Sequence, residues 1–215
     1  MLVRDCMTTP PVTIQPHVSL REALERMHEH RFRRLPVVDD QDRLVGIVSE
    51  RDLRYVSPPP AGLLDGVELE ELLSELPVAE IMTRDVITTT PATFVEEAAR
   101  LMADNKIGGL PVVDENNRVL GVITETDLFK AFIEIYRAGH AGLYLSLRLR
   151  QRPGLMADLS KAILGLGDDI VAITSSYDDQ AGEYRLVVKG QDIDKDRVVH
   201  LLESLGNHVT EAYEL

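Results

Sequence analysis

An internal repeat constrains this chain more than any other feature. Leu35 to Leu53 reads LPVVDDQDRLVGIVSERDL, and Leu110 to Leu128 reads LPVVDENNRVLGVITETDL. The match extends without a gap at a constant offset of 75 positions: Met7 with Met82, Pro16 with Pro91, Ala23 with Ala98, Asp52 with Asp127. Where apolar residues differ the exchange is conservative, Ile47-Val48 becoming Val122-Ile123. Two copies are too few for a solenoid, which needs about three to bury a continuous core. The repeat favours two similar units packed about a pseudo-twofold axis.

Each copy carries a β-α-β-β-α pattern. A β-prone piece, PVTI or VITT, leads to Pro16 or Pro91. A helix is expected next. Ser19 and Glu22 form an S-x-x-E capping box in copy one, and Thr93 with Glu96 suggests one in copy two. Leu20, Ala23, Leu24 and Met27 make one apolar helical face, as do Val95, Ala98, Ala99 and Met102. LPVVD reads as a buried strand. A polar turn, DDQDR or DENNR, leads to a second strand, LVGIVS or VLGVIT, and a helix opens at Ser49 or Thr124.

The copies are joined by SPPPAG, a proline-rich breaker, and by the acidic amphipathic stretch DGVELEELLSEL. GHAG, residues 139–142, reads as a linker to a different texture. Leu143, Leu145, Leu147 and Leu149 alternate as in a half-buried strand. Pro153 suits the first turn of a helix whose Leu155, Leu159, Ile163 and Leu166 face one way, with Gly165 and Gly167 as stops. DIVAITSSYD and EYRLVVKG are strands around a DQAG turn, then come a helix with Val198, Leu201, Leu202 and Leu205 inward and a last strand, HVTEAYEL. The order is βαββαβ, the ferredoxin-like split arrangement. The fold class is therefore α/β (α+β), in two domains.

The formal net charge of −13 works against binding nucleic acid or anionic membranes, because the field of the whole molecule repels polyanions. The N-terminus lacks a signal-peptide pattern and no apolar run approaches a membrane span, so a cytoplasmic location is the expectation. Cys6 is the only cysteine, which excludes an intrachain disulfide and a cysteine zinc cluster.

The repeated corner, G-h-h-S/T-x-x-D, carries the candidate chemistry. Gly46 and Gly121 would let another group approach the strand backbone. Ser49 and Thr124 stand where a strand ends and a helix begins, a place whose free N–H groups suit phosphate. Asp52 and Asp127 are acceptors that could hold the two hydroxyls of a ribose. The same S/T-x-x-D spacing also reads as a helix cap. The copies differ in charge. HEHRFRR, His28 to Arg34, and Arg51 belong to copy one, whereas copy two has ADNKIGG and Thr126 in place of Arg51. Arginine recognises phosphate with a planar donor fork, so the Asp52 half is favoured for a phosphorylated ligand. His28, Arg31 and Arg33 also read as a solvated face. No catalytic or metal constellation emerges: His28 and His30 diverge on a helix, and GLGDD lacks the third glycine of a dinucleotide fingerprint.

LPVVD with GIVSERDL, and LPVVD with GVITETDL, resemble the CBS-domain pair, a regulatory module, over roughly residues 1–135. Residues 1–138 are expected to form the pair (copy one about 1–56, copy two about 76–138). RPGLMADLSKAI resembles the ACT domain, and 143–215 is expected to form that domain. The combination is similar to CBS-plus-ACT regulatory proteins of the acetoin-utilisation (AcuB) type. The resemblance implies a non-enzymatic sensor with no required cofactor, binding AMP, ADP, ATP or another adenosyl compound between the copies. Aspartate would grip the ribose and Ser/Thr the phosphate. The first strand, with Thr13 and Thr88, and the LPVV strand, with Pro36 and Pro111, would frame the base. The implied nucleotide set is thus Thr13, Arg34, Pro36, Ser49, Arg51, Asp52, Thr88, Pro111, Thr124, Thr126 and Asp127. An ACT domain implies a small-molecule site at Arg152, Pro153, Gly154 and Leu155, although Gln151 stands where that family often has aspartate. Both modules self-associate in their families, so a homodimer is expected, with an enzyme or pathway protein as a further partner. A constitutive dimeric scaffold and a nucleotide hydrolase are the alternatives.

Overall fold

The structure, a computed structural model, describes residues 1–56, 73–136, 141–150, 154–164, 169–191, 194–204 and 208–214. The SPPPAG breaker, most of the acidic stretch after it, Gly139-His140, Pro153, Gly165, Leu166, Gly167 and Leu205 lie outside these residues. So does the packing of the Leu155 and Ile163 side chains. The chain divides into two compact units, Met1–Phe129 and Lys130–Leu215. No helix among the described residues is long and apolar enough to cross a membrane.

The repeat is a repeat of structure. Copy one holds α1 (Leu20–His30), β1 (Arg34–Val38), β2 (Leu44–Ser49) and α2 (Glu50–Val56). Copy two holds α3 (Val95–Asn105), β3 (Gly109–Val113), β4 (Val119–Thr124) and α4 (Glu125–Ile135). Backbone detail recurs at the same offset. Arg31 and Lys106 end α1 and α3 in the left-handed region, at φ 56° and 54°. In the hairpin turns Asp39 Oδ1 accepts from the Gln41 and Arg43 amides, and Asp114 Oδ1 from those of Asn116 and Arg118. The PVTI and VITT pieces form only single parallel bridges, Ile14 to Val37 and Thr89 to Val112, not strands. Nearby prolines, at 11 and 16 in one copy and 91 in the other, cannot donate to a longer ladder.

The capping box expected at Thr93 is displaced by one residue. Ser19 Oγ accepts from the Glu22 amide at the start of α1. Its equivalent before α3 is Phe94, which has cap geometry but no side-chain cap. Thr93 Oγ1 instead accepts from the Thr90 amide.

The leading straps of the two copies are exchanged. Val78 and Ala79 donate to the carbonyls of Val18 and Pro16, and Leu20 donates to Leu76. The mirror set is Val3 to Thr93, Arg4 to Pro91 and Val95 to Met1. Further along, Thr83 pairs with Ile47 and Thr8 with Val122. This crossing explains the repeated glycines. A Cβ on Gly46 would lie 2.5 Å from Met82 Sδ, and one on Gly121 2.7 Å from the Thr8 carbonyl. Gly46 and Gly121 admit the opposite copy's strap, so the group whose close approach they allow is protein.

The core of copy one shows the same dependence. Ile14, Leu20, Ala23, Met27, Leu35, Val37, Val48 and Leu53 pack with Val78 and Met82 from the second strap. The hairpin tips meet about the axis: Leu44 N donates to Asn117 O, and Val119 N to Asp42 O. Val38, Leu44, Val113 and Val119 form an apolar cluster there.

The second unit contains β5 (Leu143–Arg150), α5 (Leu155–Leu164), β6 (Asp169–Asp178), β7 (Glu183–Gln191), α6 (Lys195–Ser204) and β8 (His208–Glu214). The sheet order is β6-β7-β5-β8 with antiparallel neighbours, the split βαβ topology. Leu143, Leu145, Leu147 and Leu149 are buried with Leu159, Leu186, Val188, Val198 and Leu202. Leu201 is only partly buried. Gly182 closes the DQAG turn at φ 66°.

Candidate nucleotide site

The two S/T-x-x-D corners have one geometry. Ser49 donates to Asp52 Oδ2 through its amide at 2.8 Å and its hydroxyl at 2.7 Å. Thr124 does the same to Asp127 Oδ2, at 2.9 and 2.7 Å. The return bonds run from the Asp52 amide to Ser49 Oγ and from the Asp127 amide to Thr124 Oγ1. Each carboxylate therefore caps its own helix, and the strand-to-helix corner expected to receive phosphate is filled by Asp. Only one oxygen is used. Among the described residues, Oδ1 of Asp52 and Oδ1 of Asp127 accept no hydrogen bond, so each can still take a hydroxyl donor from outside.

A groove of about 730 Å³ opens beside Asp52. Copy one contributes Arg33, Arg34, Ser49, Glu50, Arg51 and Asp52. Copy two contributes Val86, Ile87, Lys106, Ile107, Gly108, Gly109, Pro111 and Glu125. The wall facing Asp52 thus comes from the opposite copy. Of the residues anticipated from sequence, Arg34, Ser49, Arg51, Asp52 and Pro111 meet here. The others do not line it. Thr88 is the neighbour of Val86-Ile87, and Pro36 is buried within β1. Thr13 lines a separate cavity of about 430 Å³ with Gln15, Arg26 and Asp42. Thr124, Thr126 and Asp127 form the second corner, of which only Glu125 reaches the groove. Sequence reasoning missed Lys106, Ile107, Gly108 and Gly109 as lining groups. Their signal is the contrast between HEHRFRR and ADNKIGG, which is one of bulk as well as of charge.

Arg34 reaches from copy one across to copy two. Its side chain is half-buried, and Nη1 donates to the Gly109 carbonyl at 3.3 Å. Burial lowers its pKa most, and the neighbouring Arg33 lowers it further. Glu125 and Asp52 pull the other way without cancelling these effects.

At the second candidate site, Arg152 and Pro153 lie outside the described residues. Gly154 has φ +79°, a conformation suited to glycine, and α5 begins at Leu155 with Asp158 N donating to Gly154 O.

The duplicated fold and its paired corners define a CBS module. Residues 3–58 and 78–134, more than half of the chain, match the CBS domain, and the chain belongs to that family. A CBS domain-containing protein of Dictyostelium discoideum is 34% identical over 63% of this chain and 93% of its own length. Inosine-5'-monophosphate dehydrogenase of Aquifex aeolicus is 34% identical over 58% of this chain, which spans only 23% of that enzyme. Among solved structures, the CBS domain pair of protein MJ0100, in complex with 5'-methylthioadenosine and S-adenosyl-L-methionine, is 32% identical at a TM-score of 0.52, covering 61% of this chain and 95% of that one. CBSX2 in complex with AMP is 33% identical at 0.52, covering 62% and 97%. A Vibrio cholerae protein assigned to acetoin utilization (AcuB) is 34% identical at 0.52, covering 62% and 91%.

Proposed function

We propose that the CBS pair is a regulatory sensor for an adenine nucleotide or nucleoside, held in the groove beside Asp52. The observation that carries this reading is the meeting of the Ser49–Asp52 corner of one copy with the Ile87 and Gly109–Pro111 segments of the other, around a volume of about 730 Å³. Asp52 Oδ1 accepts from the ribose hydroxyls while Oδ2 keeps the helix cap. Val86, Ile87 and Pro111 supply apolar edges for a base, and Arg33, Arg34 and Lys106 supply donors for phosphate. The complexes of CBSX2 with AMP and of the MJ0100 pair with adenosyl compounds support this ligand class.

In this reading residues 1–138 are the sensor and residues 143–215 an ACT-type module that dimerises the chain or takes a second small molecule. The βαββαβ order supports the ACT-type assignment. The protein acts on a partner rather than by catalysis. Its ligand must prefer one arrangement of the modules, or it shifts nothing. An acetoin-utilisation role rests on the Vibrio cholerae likeness alone.

Calorimetric titration with AMP, ADP and ATP tests the site. A charge-assisted hydrogen bond contributes about 1.5–3 kcal/mol. Asp52→Ala should therefore weaken binding by roughly ten- to a hundredfold. Unchanged affinity in a folded variant overturns the assignment. A second reading, a constitutive dimeric scaffold, draws on the self-capping of both carboxylates. It predicts no ligand-dependent thermal shift, whereas a sensor gains about 2.7 kcal/mol at a hundredfold excess over Kd.

A further inference from the structure

Duplication implies two equivalent half-sites, and the structure breaks that equivalence at the axis itself. Arg34 and Gly109 hold the same position in the two copies, 75 residues apart, and they are hydrogen-bonded at 3.3 Å. Equivalent positions in contact lie next to the axis that relates the copies. A Cβ on Gly109 would sit 3.0 Å from Arg34 Nη1, and one on Gly108 2.8 Å from Arg34 Nη2. The guanidinium of copy one therefore lies in space that two glycines of copy two leave open. The reverse exchange does not exist, because Gly109 has no side chain to offer. The bulk follows the same rule. The Asp52 corner shares its groove with Lys106, Ile107, Gly108 and Gly109. At the same positions relative to the Asp127 corner, the repeat supplies Arg31, Phe32, Arg33 and Arg34.

We infer that the pair takes one anionic nucleotide per chain, in the Asp52 half, and that Arg34 sets both the charge and the number of the ligand. This rests on the adenosyl-sensing reading above and narrows it. A guanidinium carries five N–H donors. Among the described residues that of Arg34 reaches a single acceptor, a neutral carbonyl. Four carboxylates also line the groove, those of Glu50, Asp52, Asp85 and Glu125, yet none accepts a hydrogen bond from Arg34. Burial and the adjacent Arg33 outweigh the pull of Glu125 and Asp52. The guanidinium is thus a half-desolvated cation with donors to spare, and a phosphate group matches its fork. An uncharged nucleoside engages none of this, and S-adenosylmethionine offers the fork a carboxylate only together with its sulfonium and ammonium charges. A second nucleotide in the Asp127 half would need the same guanidinium, and by the repeat it would meet Phe32 where the first meets Ile107.

The full-length chain is titrated calorimetrically with AMP, adenosine and S-adenosylmethionine. AMP should bind with one site per chain, roughly ten- to a hundredfold more tightly than adenosine. Arg34→Gln should weaken AMP roughly ten- to a hundredfold and adenosine far less, and Arg34→Lys should restore part of the preference. Two equivalent AMP sites per chain overturn the inference, as does an Arg34→Gln variant that loses AMP and adenosine equally. If adenosine or S-adenosylmethionine binds as tightly as AMP, adenosyl sensing stands and the anionic preference falls. If none of the three binds and neither ADP nor ATP does, both fall together; if only ADP or ATP binds, adenosyl sensing stands.

Discussion

Gly46 and Gly121 occupy one position in the repeat and face the same two groups at different distances. A Cβ on Gly46 would meet Met82 Sδ at 2.5 Å and the Thr83 carbonyl at 3.1 Å; one on Gly121 would meet the Thr8 carbonyl at 2.7 Å and Met7 Sδ at 2.9 Å, so the tightest contact is a rotatable side chain in one case and backbone in the other. Inserting a methyl group into a packed interior costs about 1–3 kcal/mol. Gly121→Ala should lower the melting temperature more than Gly46→Ala, because a side chain can turn aside and a backbone carbonyl cannot. No loss in either variant on thermal denaturation would refute the strap explanation. Thr89 is a second residue-level asymmetry. Its hydroxyl is buried and accepts or donates nothing among the described residues, while Ile14 fills the matching place in copy one. An orphaned buried polar group costs about 1–3 kcal/mol. Thr89→Val keeps the shape and should raise the melting temperature; a fall would mean that the hydroxyl has a partner.

At the scale of elements, α1 is capped by Ser19 and α3 begins at an uncapped, exposed Phe94. A Ser cap stabilises a helix by about 0.5–2 kcal/mol. Phe94→Ser should therefore stabilise the chain, as chemical denaturation would show by a higher midpoint, and no gain would refute the cap assignment. The exchanged straps make a stronger claim. Copy one cannot complete its core without Val78 and Met82. A fragment of residues 1–56 should be unfolded by circular dichroism, although it contains every helix and strand of its copy. A cooperatively folded fragment would show that the crossing is dispensable. The DQAG turn and the Leu143–Leu149 alternation were legible from sequence, because turn chemistry and a period of two are properties of neighbouring residues. The Thr93 box was misplaced for the same reason: a local motif one position off looks as good as the right one, and only alignment to Ser19 identifies Phe94.

At the scale of the molecule, the groove and both straps belong to the first compact unit. A chain of residues 1–136 should bind AMP with the affinity of the full protein. A loss of tenfold or more would assign the C-terminal unit a part in the site.

The sequence alone determined the duplication, the alternation of elements in each copy, the βαββαβ order of the tail and the S/T-x-x-D corners. Each is carried by spacing along the chain. Tertiary structure decided which copy completes which. It sent the straps across the axis, set Gly109 and Pro111 opposite Asp52, and turned Arg34 over the glycines of its counterpart. Spacing could not decide this, because two copies with one pattern write pairing within a copy and pairing between copies identically. The burial of Val78 and Met82 in the core of copy one, with the strap hydrogen bonds across the axis, tells the two apart.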